Sequence, residues 1–310
     1  VKPRICIVAD VRTWAWARKA AQLEKHLAGE FEMETVFPFD RHPDPVPPSG
    51  FDLWHSFEVF QAPQLLELGV PYVTGITAHV WDGHERQRTR PALVRWMGAA
   101  RAFHANSVLL AHETFRRYGV VSHYCPNGVD ESFFVRLRDE RPRDRLVVGW
   151  VGKPNARKGR HLVEAACALV GAELRVVAHT HRDAIDAAAM REFYQGIHVL
   201  CVASDMDGTP NPALEAAACG CAVVGNAIGN LPEFIEDGVN GLLVGPLAVP
   251  PQQPTAADLA RALETITPAT AVTMGEAARA TVEREWTWKQ QARNYAQLWS
   301  AALAGAKEAA

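Results

Sequence analysis

The chain has 310 residues, room for two domains at about 150 residues each. Hydrophobic residues make up 48% and charged ones 22%, ordinary proportions for a globular protein. A net charge of −3 argues against a broad nucleic-acid-binding field, with only a local basic patch around Arg86, Arg88, Arg90, Arg95 and Arg101. No apolar run is long enough to span a bilayer, and no signal-peptide pattern opens the chain. The cysteines (Cys6, Cys125, Cys167, Cys201, Cys219, Cys221) sit mostly in apolar or small-residue settings and read as buried reduced thiols. Together these point to a cytoplasmic location and leave peripheral membrane contact open.

Residues 4–10 form a short apolar run ending in Asp10, the pattern of a buried first strand. A helix follows over 14–27, with Ala17, Ala20, Ala21, Leu23 and Leu27 on repeating turns. The Pro- and Asp-rich stretch 37–50 reads as a surface loop. Strands are predicted over 51–56, 71–77 and 102–107, and a helix over 109–118. Asn127-Gly128, after Pro126, marks a tight turn. The charged stretch 134–145, which contains Pro142, is assigned to a domain linker. A second series then runs strand 146–152, helix 160–170, strand 174–178, helix 184–194 and strand 197–202. Strands alternating with helices imply parallel sheets. Two such series imply an α/β chain of two Rossmann-like domains facing a central cleft. After Thr255 the sequence reads as mostly helical.

Chemistry concentrates in the second series. The stretch 205–244 reads as a loop, a short helix, a buried strand and a Gly-Asn-Leu-Pro-Glu turn. Asp207 lies in the loop and Glu215 on the helix. Pro210, Asn211 and Pro212 stand just ahead of that helix, where backbone N–H groups lack intrahelical partners. A helix N-terminus attracts anions, and a carboxylate one to two turns in accepts from hydroxyls. The pairing suits a ligand that is part phosphate and part sugar. Upstream, Gly152-Lys153-Pro154-Asn155-Ala156-Arg157-Lys158-Gly159 connects a strand to a helix. Its two lysines can serve one diphosphate, where a nucleotide sugar carries its leaving charge; taken alone, the stretch is also a solvated basic turn. It is not a P-loop, and no Gly-x-Gly-x-x-Gly follows the first strand. His79 follows a predicted strand, at the rim of the first series; taken alone, it is also a surface or core histidine. In the first strand–helix loop, Arg12 can face phosphate. Trp14 and Trp16 either stack on a sugar or base or pack the helix into the core.

This pattern resembles the donor-site signature of retaining GT-B glycosyltransferases of family 4 (glycosyl transferases group 1). The matching residues are Asp207, Glu215-Ala216, Gly220, Ala222-Val223-Val224 and Gly229-Asn230-Leu231-Pro232-Glu233, with Lys158-Gly159 upstream. Asp207 stands where the family usually has Glu, Lys153 where it has Arg, and the first strand–helix loop lacks the family's glycines.

The resemblance implies a GT-B fold: an acceptor-side domain over 1–140, a donor-side domain over 141–285 and a helix over 286–310 crossing back to the first domain. It implies a hexosyltransferase-type enzyme moving a sugar, with retention, from a nucleotide diphosphate sugar to an acceptor hydroxyl. The acceptor is left open: small molecule, glycan, lipid, protein or nucleic acid. No cofactor and no metal are implied, because Asp205-Met206-Asp207 matches the Asp-x-Asp of GT-A enzymes while its surroundings match GT-B. In this reading Lys153 and Lys158 hold the diphosphate, and Glu215 accepts from ribose hydroxyls. Asp207 and the backbone of Gly208, Thr209, Pro210 and Asn211 read the sugar. Glu233 supports the turn or the site, and His79 faces the reacting carbon. His79, Lys158 and Asp207 form the expected catalytic set, with Arg12, Trp14 and Trp16 on the acceptor or phosphate side. The alternatives are a GT-B epimerase or phosphorylase, or a catalytically weak sugar-nucleotide-binding protein.

Overall fold

The computed structural model describes residues 1–13, 15–81, 83, 89–139, 141–180, 185–245 and 252–308. The chain forms two compact units, Val1–Asn127 with Trp288–Ala310, and Gly128–Thr287.

The first unit alternates strands and helices: β1 (Arg4–Val8), α1 (Ala15–Leu27), β2 (Glu32–Val36), β3 (Leu53–Ser56), α2 (Ala62–Glu67), β4 (Tyr72–Ile76), α3 (Arg90–Gly98), β5 (Ala102–Ala105), α4 (Val108–Tyr118) and β6 (His123–Tyr124). The six strands are parallel, in the order β2-β1-β3-β4-β5-β6. Ile5, Cys6, Ile7 and Val8 have no exposed surface, as expected of a central parallel strand covered on both faces. At the edge, β2 turns Glu32 and Glu34 toward solvent or its margin, and the charge discourages pairing with another chain. That composition, Glu-Met-Glu-Thr-Val, hid β2 from the sequence reading, which also missed the short α2 and the Arg-bearing α3.

The second unit contains β7 (Val147–Gly152), α5 (Arg160–Val170), β8 (Glu173–Ala178), α6 (Ala187–Gln195), β9 (Val199–Val202), α7 (Asn211–Ala218), β10 (Ala222–Asn226), α8 (Leu231–Phe234), β11 (Gly241–Val244), α9 (Ala256–Glu264) and α10 (Pro268–Glu285). Its five parallel strands follow the order β11-β10-β9-β7-β8. Counted from each unit's own first strand, both sheets share the order second, first, third, fourth, fifth, and the first sheet adds a sixth. The chain therefore reverses direction between β1 and β3 in one unit and between β7 and β9 in the other. In open parallel sheets, ligands bind beyond the carboxyl ends of strands at such switch points.

The last helix, α11 (Trp288–Glu308), belongs to the first unit. Ala292, Tyr295, Ala296, Trp299 and Ala302 recur at helical spacing, and they pack with Ile5, Ile7, Leu23 and Leu27. The Tyr295 hydroxyl donates to the Cys125 carbonyl at 2.6 Å, and Trp299 Nε1 donates to His55 Nδ1 at 3.0 Å. An indole N–H only donates, so His55 carries its proton on Nε2 and passes a hydrogen bond to His104 Nε2 at 3.0 Å. Burial, helped by the charge on Lys19, holds both imidazoles well below the ordinary histidine range. A Cβ on Gly75 would stand 2.2 Å from the His104 ring, so the strand needs glycine there.

The expected linker over 134–145 is part of the second unit's body. Phe134 is buried edge-on to Tyr194, with centroids 6.2 Å apart. The Arg136 guanidinium donates to the carbonyls of Cys219 and Gly220 at 2.8 Å, at the end of α7, and Gln195 Oε1 accepts from the N–H of Leu137 and Arg138 at 3.1 and 2.8 Å. Charges assigned to a linker therefore satisfy orphan helix carbonyls. The division falls instead at the Asn127-Gly128 turn. All six cysteines are free and buried, and burial pushes Cys6, Cys125 and Cys221 up to about 12.

Candidate functional site

In the second unit the site is built around the β7/β9 switch point. A 3₁₀ turn, Ala156–Lys158, follows β7, and Trp150 Nε1 donates to the Lys158 carbonyl at 2.9 Å. Gly159 then adopts φ 64°, and a Cβ there would lie 2.1 Å from the Ala203 carbonyl oxygen. Only glycine lets this turn close against the end of β9. The Asp205 N–H donates to the Arg157 carbonyl at 3.0 Å, which joins the two loops. The result is a pair: Lys158 Nζ lies 2.7 Å from both carboxylate oxygens of Asp207. Both side chains stay about a fifth exposed (23% and 20%), open enough to exchange partners.

The Gly-Asn-Leu-Pro-Glu turn grips the same loop from the other side. Gly229 has φ 53°, and a Cβ there would sit 2.1 Å from the Gly208 carbonyl oxygen. The Asn230 N–H donates to that oxygen at 2.9 Å, and its side-chain amide donates to Thr209 Oγ1 at 3.2 Å. The α7 terminus begins after Pro210 with no side-chain cap, and Pro212 falls where a helix has no use for an N–H. On α7, Glu215 Oε2 accepts from the Tyr194 hydroxyl at 2.8 Å. Tyr194 is fully buried, and desolvation first, then Glu215, raises its phenol well above the ordinary range, so it stays a donor. Lys153 is exposed just past β7, and Glu233 is half-buried on α8.

The structure thus brings Lys158, Asp207, Gly208 and Thr209 into one bonded group. Lys158 and Asp207 were each assigned to a ligand by sequence, and their pairing with each other was missed. The available signal was opposite charges following the first and third strands of one unit.

In the first unit His79 lies past β4, 4% exposed and edge-on to Trp81, with centroids 5.9 Å apart. Arg12 is engaged locally: its guanidinium donates to both Asp44 oxygens at 2.6 Å and to the His42 carbonyl at 3.0 Å. Two nearby carboxylates, Asp44 and Asp40, compete with any phosphate there. Trp16 is half-buried against Phe57, with centroids 6.4 Å apart, the core-packing outcome of its two readings. Trp14, Arg86 and Arg88 lie outside the described residues. Arg90 stacks over Tyr118 at 5.7 Å, and Arg95 and Arg101 are exposed.

Two polar residues of this unit escaped the sequence reading. Glu58, just past β3, is 3% exposed; its Oε2 accepts from the Thr77 N–H at 3.0 Å and the Thr77 hydroxyl at 2.7 Å, and its Oε1 from the Val59 N–H at 3.2 Å. Lys19, on α1, is 3% exposed, with Nζ 4.6 Å from the Phe57 ring centroid and 4.8 Å from that of Tyr295. The ammonium has no hydrogen-bond partner among the described residues. Burial lowers Lys19 to about 7, against the opposing pull of Cys125 and Glu58. The clue to Lys19 was its place four residues before Leu23 and eight before Leu27, on the apolar face of α1.

The strand orders and the placement of these groups define the class: the chain has the GT-B fold. Sucrose-phosphate synthase from Thermosynechococcus elongatus superposes with a TM-score of 0.77 at 19% identity, covering 98% of this chain and 100% of that one. Anabaena HepE, solved in complex with UDP and glucose, gives 0.72 at 15% identity over 96% and 99%. Residues 131–267 match the family model described as glycosyl transferases group 1. D-inositol 3-phosphate glycosyltransferase of Kribbella flavida is 36% identical over 148 residues, 46% of this chain and 33% of that protein. The same-named protein of Geodermatophilus obscurus is 36% identical over 110 residues, 34% of this chain and 23% of that protein. The matches thus span a third or less of the length of these curated relatives.

Proposed function

We propose that the chain is a retaining, metal-independent glycosyltransferase that moves a sugar from a nucleotide diphosphate sugar to an acceptor hydroxyl. The observation that carries this reading is the partly exposed Lys158–Asp207 pair at the switch point, locked from one side by Gly159 and from the other by Gly229. Without ligand, ammonium and carboxylate neutralise each other. A diphosphate offers the ammonium more charge than one carboxylate does. Lys158, with Lys153, then stabilises the negative charge that develops on the leaving phosphate. Asp207, released, accepts from sugar hydroxyls beside the backbone of Gly208, Thr209, Pro210 and Asn211. Glu215, steadied by Tyr194, accepts from ribose hydroxyls, and Glu233 supports the turn. His79 bonds a hydroxyl of the donor sugar near the reacting carbon.

The bond from the anomeric carbon to phosphate breaks as the bond to the acceptor oxygen forms on the same face. The departing phosphate takes the acceptor proton, so no side chain acts as nucleophile. No helix among the described residues is long and apolar enough to cross a membrane. We assign the reaction to the cytoplasm on the six buried thiols, with the acceptor class open.

Calorimetric titration with UDP, GDP, ADP and their glucose conjugates, in buffer containing EDTA, tests the reading. One nucleotide family should bind, and Lys158→Ala should lose that binding. Silence from all of them sinks the donor site. Binding followed by phosphorolysis, or by epimerisation without acceptor, moves the chain to a phosphorylase or epimerase.

A further inference from the structure

The two sheets share one strand order, and each has a lysine following its first strand and an acid following its third. In the second unit these are Lys158 and Asp207, in direct contact. In the first they are Lys19 and Glu58, and there the arrangement differs. The lysine ends against two ring faces, and the carboxylate turns toward the neighbouring strand end.

The three donors described on Glu58 come from backbone or short side chains that the fold has already placed. The Val59 N–H opens the 3₁₀ turn Val59–Gln61. The Thr77 N–H and hydroxyl belong to the first residue beyond β4, the sheet neighbour of β3. The Thr77 carbonyl accepts in turn from the Asn106 side-chain amide at 3.3 Å, the first residue beyond β5. One carboxylate thereby fixes the carboxyl ends of β3 and β4 to each other, and Asn106 carries the tie to β5. His79 stands two residues further along the segment that Glu58 holds.

A neutral side chain would tie two strand ends with less desolvation, since a buried carboxylate is costly unless well bonded. In return, an ionised acceptor gives short, directional bonds roughly twice as strong as neutral ones. Both Thr77 donors meet the same oxygen, so the segment has little freedom to tilt. The Lys19 amine feels the charge of Glu58 without competing for those lone pairs.

We propose, on the reading of His79 given above, that Glu58 is a positioning residue of the transfer reaction, holding the 77–79 segment so that the imidazole meets the donor sugar. It does not touch the reacting atoms. Its effect passes through Thr77 to His79.

Full-length protein labelled with ¹⁵N-histidine, with His79 assigned from His79→Gln, provides a readout that does not need the acceptor. Glu58→Gln keeps the volume but presents an amide N–H₂ to donors. It should move the His79 ring resonances and their titration midpoint while circular dichroism stays native. Thr77→Val, which deletes one donor, should move them less and in the same direction, and the double variant no further than Glu58→Gln. Glu58→Asp should restore part of the wild-type spectrum. With the nucleotide sugar that binds, kcat for nucleotide release should fall roughly tenfold to a hundredfold, the size expected for a slightly misplaced group. KM should stay within about threefold of wild type, because the diphosphate contacts lie on the second unit.

Unchanged His79 resonances in folded Glu58→Gln overturn the proposal, as do strictly additive shifts. If Glu58→Gln fails to fold, an unchanged His79 ring in Thr77→Val overturns it equally. If UDP, GDP and ADP all fail to bind wild type, the glycosyltransferase reading falls. The His79 resonances then still decide whether Glu58 sets this segment.

Discussion

Two lysines occupy comparable places in two sheets of the same topology, yet their surroundings are opposite. Lys158 is part exposed and meets both oxygens of Asp207. Lys19 is buried among rings and meets no acceptor among the described residues. A water-accessible ion pair contributes little to stability, because solvent already satisfies each partner. It is therefore cheap to break when a better anion arrives. A buried ammonium cannot be exchanged in that way, and its charge is set by the dry core around it. The same topological position thus serves ligand turnover in one unit and internal order in the other.

The most severe way to break this comparison is Lys158→Ala. Turnover should fall by about 10²–10³-fold, the loss seen when a single group stabilising developing charge is removed. Glu215→Ala should also abolish most turnover, and thermal denaturation should show both variants folded. Near-wild-type rates would contradict the role given to the exchangeable pair.

Lys19→Met should act in the opposite sense, on stability. Unfolded, this amine titrates at 10.5; folded, at about 7. Between those values the unfolded chain holds a proton that the folded chain has shed, so stability rises with pH across the window. At pH 7 the burial costs about 4 kcal/mol by linkage. Urea denaturation should find Lys19→Met more stable than wild type at pH 7, with the gap closing as pH approaches 10.5. A pH-independent gap would mean that the site does not suppress the charge.

Gly229→Ala should come next. It forces a Cβ onto the Gly208 carbonyl at a left-handed backbone position, displacing the loop that holds Asp207. Nucleotide binding should weaken severalfold more than in Gly238→Ala, which shares a positive φ but meets no neighbour.

The smallest effect belongs to Trp299→Phe, which leaves His55 Nδ1 buried without its donor. The loss should be about 1–3 kcal/mol. His55 and His104 are both held neutral, so below the ordinary value of 6.5 the unfolded chain takes up protons that the core refuses. Wild-type stability should therefore fall as pH drops below 6.5, measurable as a shift in the urea midpoint.

The second unit's candidate residues could be picked out of the sequence because they lie in local runs. Lys158-Gly159, Asp207 through Glu215 and Gly229 through Glu233 are short runs in which residue type and turn geometry are fixed together. What sequence could not supply was the contact between runs, so the Lys158–Asp207 pair appeared as two separate ligand groups. In the first unit each strand end contributes one side chain, spread from Lys19 to Asn106, and none is embedded in a motif. Glu58 hides between Phe57 and Val59, and Lys19 reads as a solvated helix residue until its register with Leu23 is noticed. The partners of Arg12 were not foreseen, because Asp40 and Asp44 approach it only through the fold of the 37–50 loop. The expected linker failed for a similar reason: Arg136 and Phe134 find their partners some eighty and sixty residues downstream, at Cys219 and Tyr194.

The placement of α11 has a consequence for synthesis. The first unit's core includes Tyr295 and Trp299, so this unit stays incomplete until the second unit and the helix after it have been made. The second unit, ending at Thr287, needs nothing that follows it. Domains usually mature from the N-terminus onward as they emerge. Here residues 1–127 must wait with an open hydrophobic seam until a helix made after the second unit closes it.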